Sequence, residues 1–139
     1  MNSIENYAFQ ISTPLSFDES IAKATSFLKD EGFGILTEID VTKTLKEKIN
    51  VDFKPFRILG ACNPAFAHRT LSAVPEISTL LPCNVVVWDE GTHRVVTAMD
   101  PMIMSKIISN PEVEEVATQV AQKLRNVLTR LEELSASSY

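Results

Sequence analysis

Residues 83–99 read CNVVVWDEGTHRVVTAM, and this stretch decides the fold class. Cys83 to Asp89 is rich in valine and predicts a strand, while Arg94 to Met99 predicts a second one. Glu90-Gly91-Thr92 supplies the turn between them. Two strands that are joined by so short a turn run antiparallel. The chain therefore contains a β-hairpin, which argues against a purely parallel sheet.

Outside the hairpin, strands and helices alternate along the chain. Apolar or alternating segments predict strands at 7–12, 33–39 and 56–62. Helix-start residues precede four apolar stripes of helical spacing: Ser16 with Glu19, Asp40, Asn63 with Pro64, and Asn110 with Pro111. Residues 75–81 predict only a short, irregular helical turn. The predicted order of the elements is βαβαβαββα.

This order predicts an α+β fold, with an antiparallel or mixed sheet of about five strands and helices packed on one face. A doubly wound α/β fold is the alternative. The hairpin counts against it, and so does the lack of a glycine-rich phosphate loop. The strands also alternate between apolar and polar residues, whereas buried parallel strands read as continuous apolar runs.

Length and composition indicate one ordinary soluble domain. A chain of 139 residues predicts a single domain over 1–139, with a core at 5–134 and loose ends before Glu5 and at 135–139. The net charge of -5 opposes bulk binding of nucleic acid. No apolar run approaches the roughly 20 residues that cross a bilayer. The first residues do not resemble a signal peptide, so we expect a cytoplasmic protein with reduced cysteines.

The only two cysteines lie in two similar phrases, Ala61-Cys62-Asn63-Pro64 and Leu81-Pro82-Cys83-Asn84. Cys62 precedes a predicted helix start, where unpaired amides and the helix dipole favour a thiolate. Cys83 begins the next strand and would lie near Cys62 if the two strands are antiparallel neighbours. Three interpretations stay open: two small buried residues, a functional thiol, or a disulfide, which requires Cα atoms about 4.4–6.8 Å apart.

Polar neighbours extend this candidate site without completing a catalytic or metal-binding set. The candidate ligand-binding residues are Cys62, Asn63, Cys83, Asn84 and His68, although Asn63 is first a helix cap. Zinc would need Cys62, His68 and Cys83 together with a carboxylate. His68 lies more than a helical turn beyond Cys62, so we predict no metal site and no cofactor. No recognised pattern of nucleophile and base is present, which favours a role other than catalysis.

Several phrases along the chain resemble the domain-of-unknown-function family numbered 302. They follow in the family's order: Glu38-Ile39-Asp40-Val41, Ile58-Leu59-Gly60-Ala61-Cys62-Asn63-Pro64, Leu80-Leu81-Pro82-Cys83-Asn84-Val85-Val86-Val87 and Asp100-Pro101. With the flanking helices, the resemblance covers nearly the whole chain. It implies a small α+β domain that forms a homodimer. It implies no established activity, so no catalytic role is carried over.

Two hypotheses for the function follow. The first is a small cytoplasmic homodimer that binds a small molecule or a partner segment near the two Cys-Asn phrases, without nucleic acid or membrane as partners. The second is a thiol-based redox or sulfur-handling protein, in which Cys62 is the reactive thiol and Cys83 resolves the intermediate. A pocket that touches both cysteines would favour the first hypothesis, and a reactive Cys62 would favour the second.

Overall fold

The computed structural model describes residues 1–137 of the chain. Six strands lie in this range: β1 (Asn2–Ile4), β2 (Ala8–Thr13), β3 (Gly34–Asp40), β4 (Phe56–Cys62), β5 (Cys83–Asp89) and β6 (Arg94–Met99). Its α-helices are α1 (Phe17–Asp30), α2 (Val41–Ile49), α3 (Pro64–Ala73), α4 (Met102–Ile107) and α5 (Pro111–Ser137). A 3-10 helix, Pro75–Leu80, takes the place of the predicted irregular turn between α3 and β5.

In the described part of the chain, the strands form one sheet in the order β1-β2-β6-β5-β4-β3. Every neighbouring pair is antiparallel. The predicted hairpin is the β5–β6 pair, in which Val87 lies opposite Val96. The α+β class is therefore confirmed, and the sheet is antiparallel rather than mixed.

The structure contains two short elements, β1 and α4, that the sequence did not predict. The segment before Glu5 was expected to be loose, yet β1 pairs with β2 there, and the N-terminal ammonium contacts Glu132 at 2.7 Å. α4 follows β6 directly, and Asp100 Oδ1 accepts a hydrogen bond from the Met102 N–H at its start. Elements of three and six residues are too short to show a periodic pattern. α5 continues to Ser137, while residues 138–139 of the predicted tail lie outside the described range.

The predicted helix starts are confirmed by their caps. In each helix a side-chain oxygen accepts a hydrogen bond from a backbone N–H two or three residues further on. The pairs are Ser16 with Glu19 at 3.1 Å, Asp40 with Lys43 at 3.0 Å, Asn63 with Phe66 at 3.5 Å, and Asn110 with Glu112 at 2.9 Å. Gly32 follows α1 with a φ of 88°, a left-handed conformation that glycine adopts without strain.

The core lies between α1, α5 and one face of the sheet. The buried strand residues that face these helices are Phe9, Ile11, Leu59, Ala61, Cys83, Val85, Val87, Val96 and Ala98. Leu28 on α1 and Leu124 and Leu128 on α5 are fully buried against them. Because burying each such side chain contributes roughly 1.5–3 kcal/mol, this contact holds both helices on one face, as predicted.

The other face of the sheet, which we call the outer face, is only partly covered. In antiparallel pairs, opposite residues share a face, so the register assigns its members in β2 to β6. They are Ala8, Gln10, Ser12, Gly34, Thr37, Ile39, Phe56, Ile58, Gly60, Cys62 at the end of β4, Asn84, Val86, Trp88, Val95, Thr97 and Met99. None of these residues is charged. The Trp88 ring stacks on the Phe56 ring, with 5.4 Å between centroids.

A bulge in β3 lies beside the start of the candidate site. The β3–β4 register shifts between Ile35 and Thr37, which leaves Leu36 out of the pairing and 67% exposed. The Thr37 side chain then lies over Gly60 on the neighbouring strand. A Cβ atom on Gly60 would overlap Thr37 Oγ1 and would lie 2.9 Å from Cγ of Pro82. This close approach therefore requires glycine at position 60.

Candidate functional site

A cavity of about 290 Å³ lies beside the end of β4 and the start of β5. Its lining comprises Phe66, Ala67, Thr70 and Leu71 from α3; Val116, Ala117 and Val120 from α5; Phe33, Leu36, Ala61, Cys62 and Asn63; and Ser78, Leu81, Pro82, Cys83 and Met104. Leu36 and Leu71 are 67% and 38% exposed, so the cavity reaches solvent between β3 and α3. No charged residue is among those that line it.

Strand pairing and a helix cap bring the two Cys-Asn phrases together. Ala61 lies opposite Cys83 in the β4–β5 pair, so the end of one strand meets the start of the next, as predicted. The Asn63 cap then turns the chain into α3, which forms one wall of the cavity. Arg69 holds α3 against α5 through ion pairs with Glu112 and, at 3.3 Å, with Glu115.

Three of the five predicted ligand-binding residues line the cavity: Cys62, Asn63 and Cys83. Asn84 does not, because it lies on the outer face within the paired part of β5, opposite Gly60, whereas Cys62 lies at the end of β4, where the chain turns into α3. His68 does not either, because the lining positions of α3 lie on the other side of that helix. Both residues are exposed, so the structure removes Asn84 and His68 from the set that meets at the cavity.

The two cysteines are free thiols in an apolar environment. Burial, with a smaller contribution from the neighbouring Cys62, raises the pKa of Cys83 to about 11. Burial also raises the pKa of Cys62, which is only partly covered. The sequence predicted the opposite shift for Cys62 from its place before α3. Loss of water outweighs the helix start, because a thiolate in apolar surroundings lacks solvation.

Few polar atoms of the cavity wall remain available to a ligand. The Thr70 hydroxyl donates to the carbonyls of its own helix, 3.1 Å from Ala67 O. The Ser78 hydroxyl donates to Pro75 O at 2.8 Å. Asn63 Oδ1 accepts from the Phe66 N–H, which leaves Nδ2 of Asn63 without a hydrogen-bond acceptor among the described residues. Nδ2 lies beside Gly32, which does not line the cavity, so the wall presents the two thiols among groups that are almost all apolar.

Sequence reasoning identified the thiol edge of this site and missed its apolar walls. Phe66, Ala67, Thr70 and Leu71 follow helical spacing on one side of α3, which was a readable signal. Met104 gave none, because it belongs to a six-residue helix. No three His, Cys, Asp or Glu side chains within residues 1–137 are grouped so that they could hold a metal ion. No helix in the same range is long and apolar enough to span a bilayer.

Comparisons with known proteins agree with this architecture. A search of curated proteins gives no match. The structure is similar to the crystal structure of the uncharacterized conserved protein DUF302 from Bacillus stearothermophilus, with a TM-score of 0.82 and 30% sequence identity. The match covers 89% of this chain and 97% of that one. The family model described as Domain of unknown function DUF302 matches residues 9–131, and the chain therefore belongs to this family.

Proposed function

We propose that this protein is a binding module that takes a small apolar molecule into the cavity beside the two Cys-Asn phrases. The observation that carries the proposal is a cavity of about 290 Å³ with no charged residue in its lining. Apolar cavities with a few convergent polar groups are the usual form of small-molecule sites. Cys62, Asn63 and Cys83 supply those groups here.

The groups that line the cavity favour binding over chemistry. Its walls are α3, α5 and the paired ends of β4 and β5. The polar groups in the wall are neutral, and the raised pKa of each thiol disfavours a nucleophilic thiolate. A ligand would therefore gain affinity mainly from the removal of apolar surface from water.

The test is a toluene titration of the full chain, followed by amide chemical shifts in ¹H–¹⁵N NMR spectra. The informative variant is Ala67→Leu, because Ala67 is half-buried and lines the cavity. The matched control is Ala65→Leu, because Ala65 is an exposed residue of the same helix that does not line it.

We expect toluene to shift the amides of lining residues in the wild type and in Ala65→Leu. Ala67→Leu should weaken these shifts and raise the thermal midpoint, because the added side chain fills part of the empty space. If toluene shifts no lining amide in the wild type, the proposal fails. It also fails if toluene shifts those amides equally in both variants.

We further propose that the binding module is a homodimer, with the outer faces of two sheets packed together. Depletion of charge is typical of the centre of an interface, and the outer-face residues of β2 to β6 are all uncharged. Six strands at about 4.8 Å spacing and about 20 Å length give roughly 550 Å² in projection. Because side chains protrude from the sheet, the accessible area of this face exceeds its projected area and approaches the roughly 800 Å² per partner that a stable complex buries.

Sedimentation equilibrium tests the dimer. Val86 is a half-buried outer-face residue of a central strand, opposite Ile58 and Thr97, so Val86→Lys would place a charge within the interface. We expect it to weaken dimerisation by at least about 30-fold, since an unpaired charge is costly to bury. Ala22→Lys, on the exposed side of α1, should leave dimerisation unchanged. A wild-type protein that remains monomeric at 100 µM (roughly the upper range for weak homodimers) would exclude this dimer.

A further inference from the structure

We infer that the ligand of the cavity is a neutral, apolar molecule of about ten to twelve non-hydrogen atoms, such as an uncharged medium-chain alkyl compound. The inference rests on the proposed function, because it specifies the ligand of that same cavity. Its two parts, which are size and charge, depend on separate features of the wall.

The size follows from the cavity volume. An apolar cavity of about 150 Å³ accepts benzene, which has six non-hydrogen atoms. The cavity beside the Cys-Asn phrases measures about 290 Å³, nearly twice that volume. A ligand of about ten to twelve such atoms therefore fits with similar packing. Much shorter molecules would leave part of the apolar wall without contacts, which weakens dispersion attraction.

The absence of charge follows from the residues in and around the wall. No lining residue is charged, so an ionised ligand would lose its hydration without gaining a counter-ion. Arg69 lies close by on α3, with its guanidinium over the Phe66 ring, but its charge is taken up by Glu112 and Glu115. A neutral ligand is therefore favoured over both a carboxylate and an ammonium.

Isothermal titration calorimetry of the full chain at pH 7.5 tests the inference with 1-decanol, decanoate, decylammonium and 1-butanol. We expect 1-decanol to bind with one site per chain, and at least about tenfold more tightly than either ion or the short alcohol. Ala67→Leu should abolish the 1-decanol signal and Ala65→Leu should retain it, which assigns binding to this cavity.

The remaining outcomes separate this inference from the proposed function. If decanoate or decylammonium binds as tightly as 1-decanol, the inference that the ligand is uncharged is wrong, while the cavity remains a binding site. If toluene binds and 1-decanol does not, or if 1-butanol matches 1-decanol, the assigned size is wrong. If 1-decanol binds equally to Ala67→Leu, the inference fails because the alcohol occupies another place. Failure of toluene to bind refutes the proposed function itself.

Discussion

We expect the wild type to lose stability in alkaline solution, and we expect the replacement of Cys83 by alanine to reduce that loss. The Cys83 side chain is 6% exposed, and burial holds the pKa of its thiol at about 11. In the unfolded chain the same thiol has a pKa of about 8.5. The folded state therefore favours the protonated thiol, while the unfolded state ionises at lower pH. The stabilisation is complete below pH 8.5 and is lost as the pH rises toward 11.

The size of the effect follows from the two pKa values. The difference between about 8.5 and about 11 corresponds to about 3.5 kcal/mol in the free energy of unfolding, since each pKa unit is worth about 1.4 kcal/mol. By pH 10, about 2 kcal/mol of this should already be lost. The Cys83→Ala variant has no thiol at this position. Between pH 7.5 and pH 10, its free energy of unfolding should therefore fall by about 2 kcal/mol less than that of the wild type. A constant cost from the lost side chain appears at both pH values and cancels.

Urea denaturation of both proteins at pH 7.5 and pH 10 gives the four free energies of unfolding that this comparison needs. Lysine and tyrosine residues also titrate in this range, but they are common to both proteins and cancel in the comparison. Cys62→Ala is the comparison variant and should reduce the alkaline loss of stability by less, because its thiol is the less buried of the two and only the smaller cause of the raised Cys83 pKa. If wild type and Cys83→Ala lose stability equally between pH 7.5 and pH 10, Cys83 is not held as a buried thiol.

Two further predictions concern the same region. Gly60→Ala should lower the free energy of unfolding by about 1–3 kcal/mol, because its Cβ atom would overlap Thr37 and press on Pro82. Gly34→Ala, with no other heavy atom within 4 Å of its new Cβ, is the matched control, and equal losses in chemical denaturation would refute this account. Iodoacetamide should alkylate Cys62 slowly at pH 7.5, with a rate that rises at higher pH than that of a cysteine in an unfolded peptide, because burial raises the pKa of its thiol. Alkylation of Cys62 faster than that of the peptide, lost in Cys62→Ser, would instead support the thiol-redox hypothesis.

The class of the fold was predictable because its main signals are local. The valine-rich segments around Gly91 predicted the β5–β6 hairpin, since a short turn between two strands allows only antiparallel pairing. Ser16, Asp40 and Asn63 marked helix starts correctly, because a cap bonds backbone amides only two or three residues away. β1 and α4 escaped prediction because neither is long enough to show a period.

The candidate site was predictable only in part. The sequence drew attention to Cys62, Asn63 and Cys83, and these three residues do line one cavity. It also suggested His68 and Asn84, which lie elsewhere, because nearness in sequence does not specify the face on which a side chain lies. The raised pKa of Cys62 was not foreseen, since burial depends on the helices and loops that pack over it.

By itself, the sequence determined the α+β class, the hairpin and the helix starts. These features follow from interactions between residues close along the chain, or from the one pairing that a short turn permits. Only the tertiary structure decided that β4 pairs with β5, which brings the two Cys-Asn phrases together. It alone decided that α3 and α5 leave a cavity of about 290 Å³ beside those phrases. The physical reason is that a cavity is the space left by distant segments when they pack, and no local pattern encodes that space.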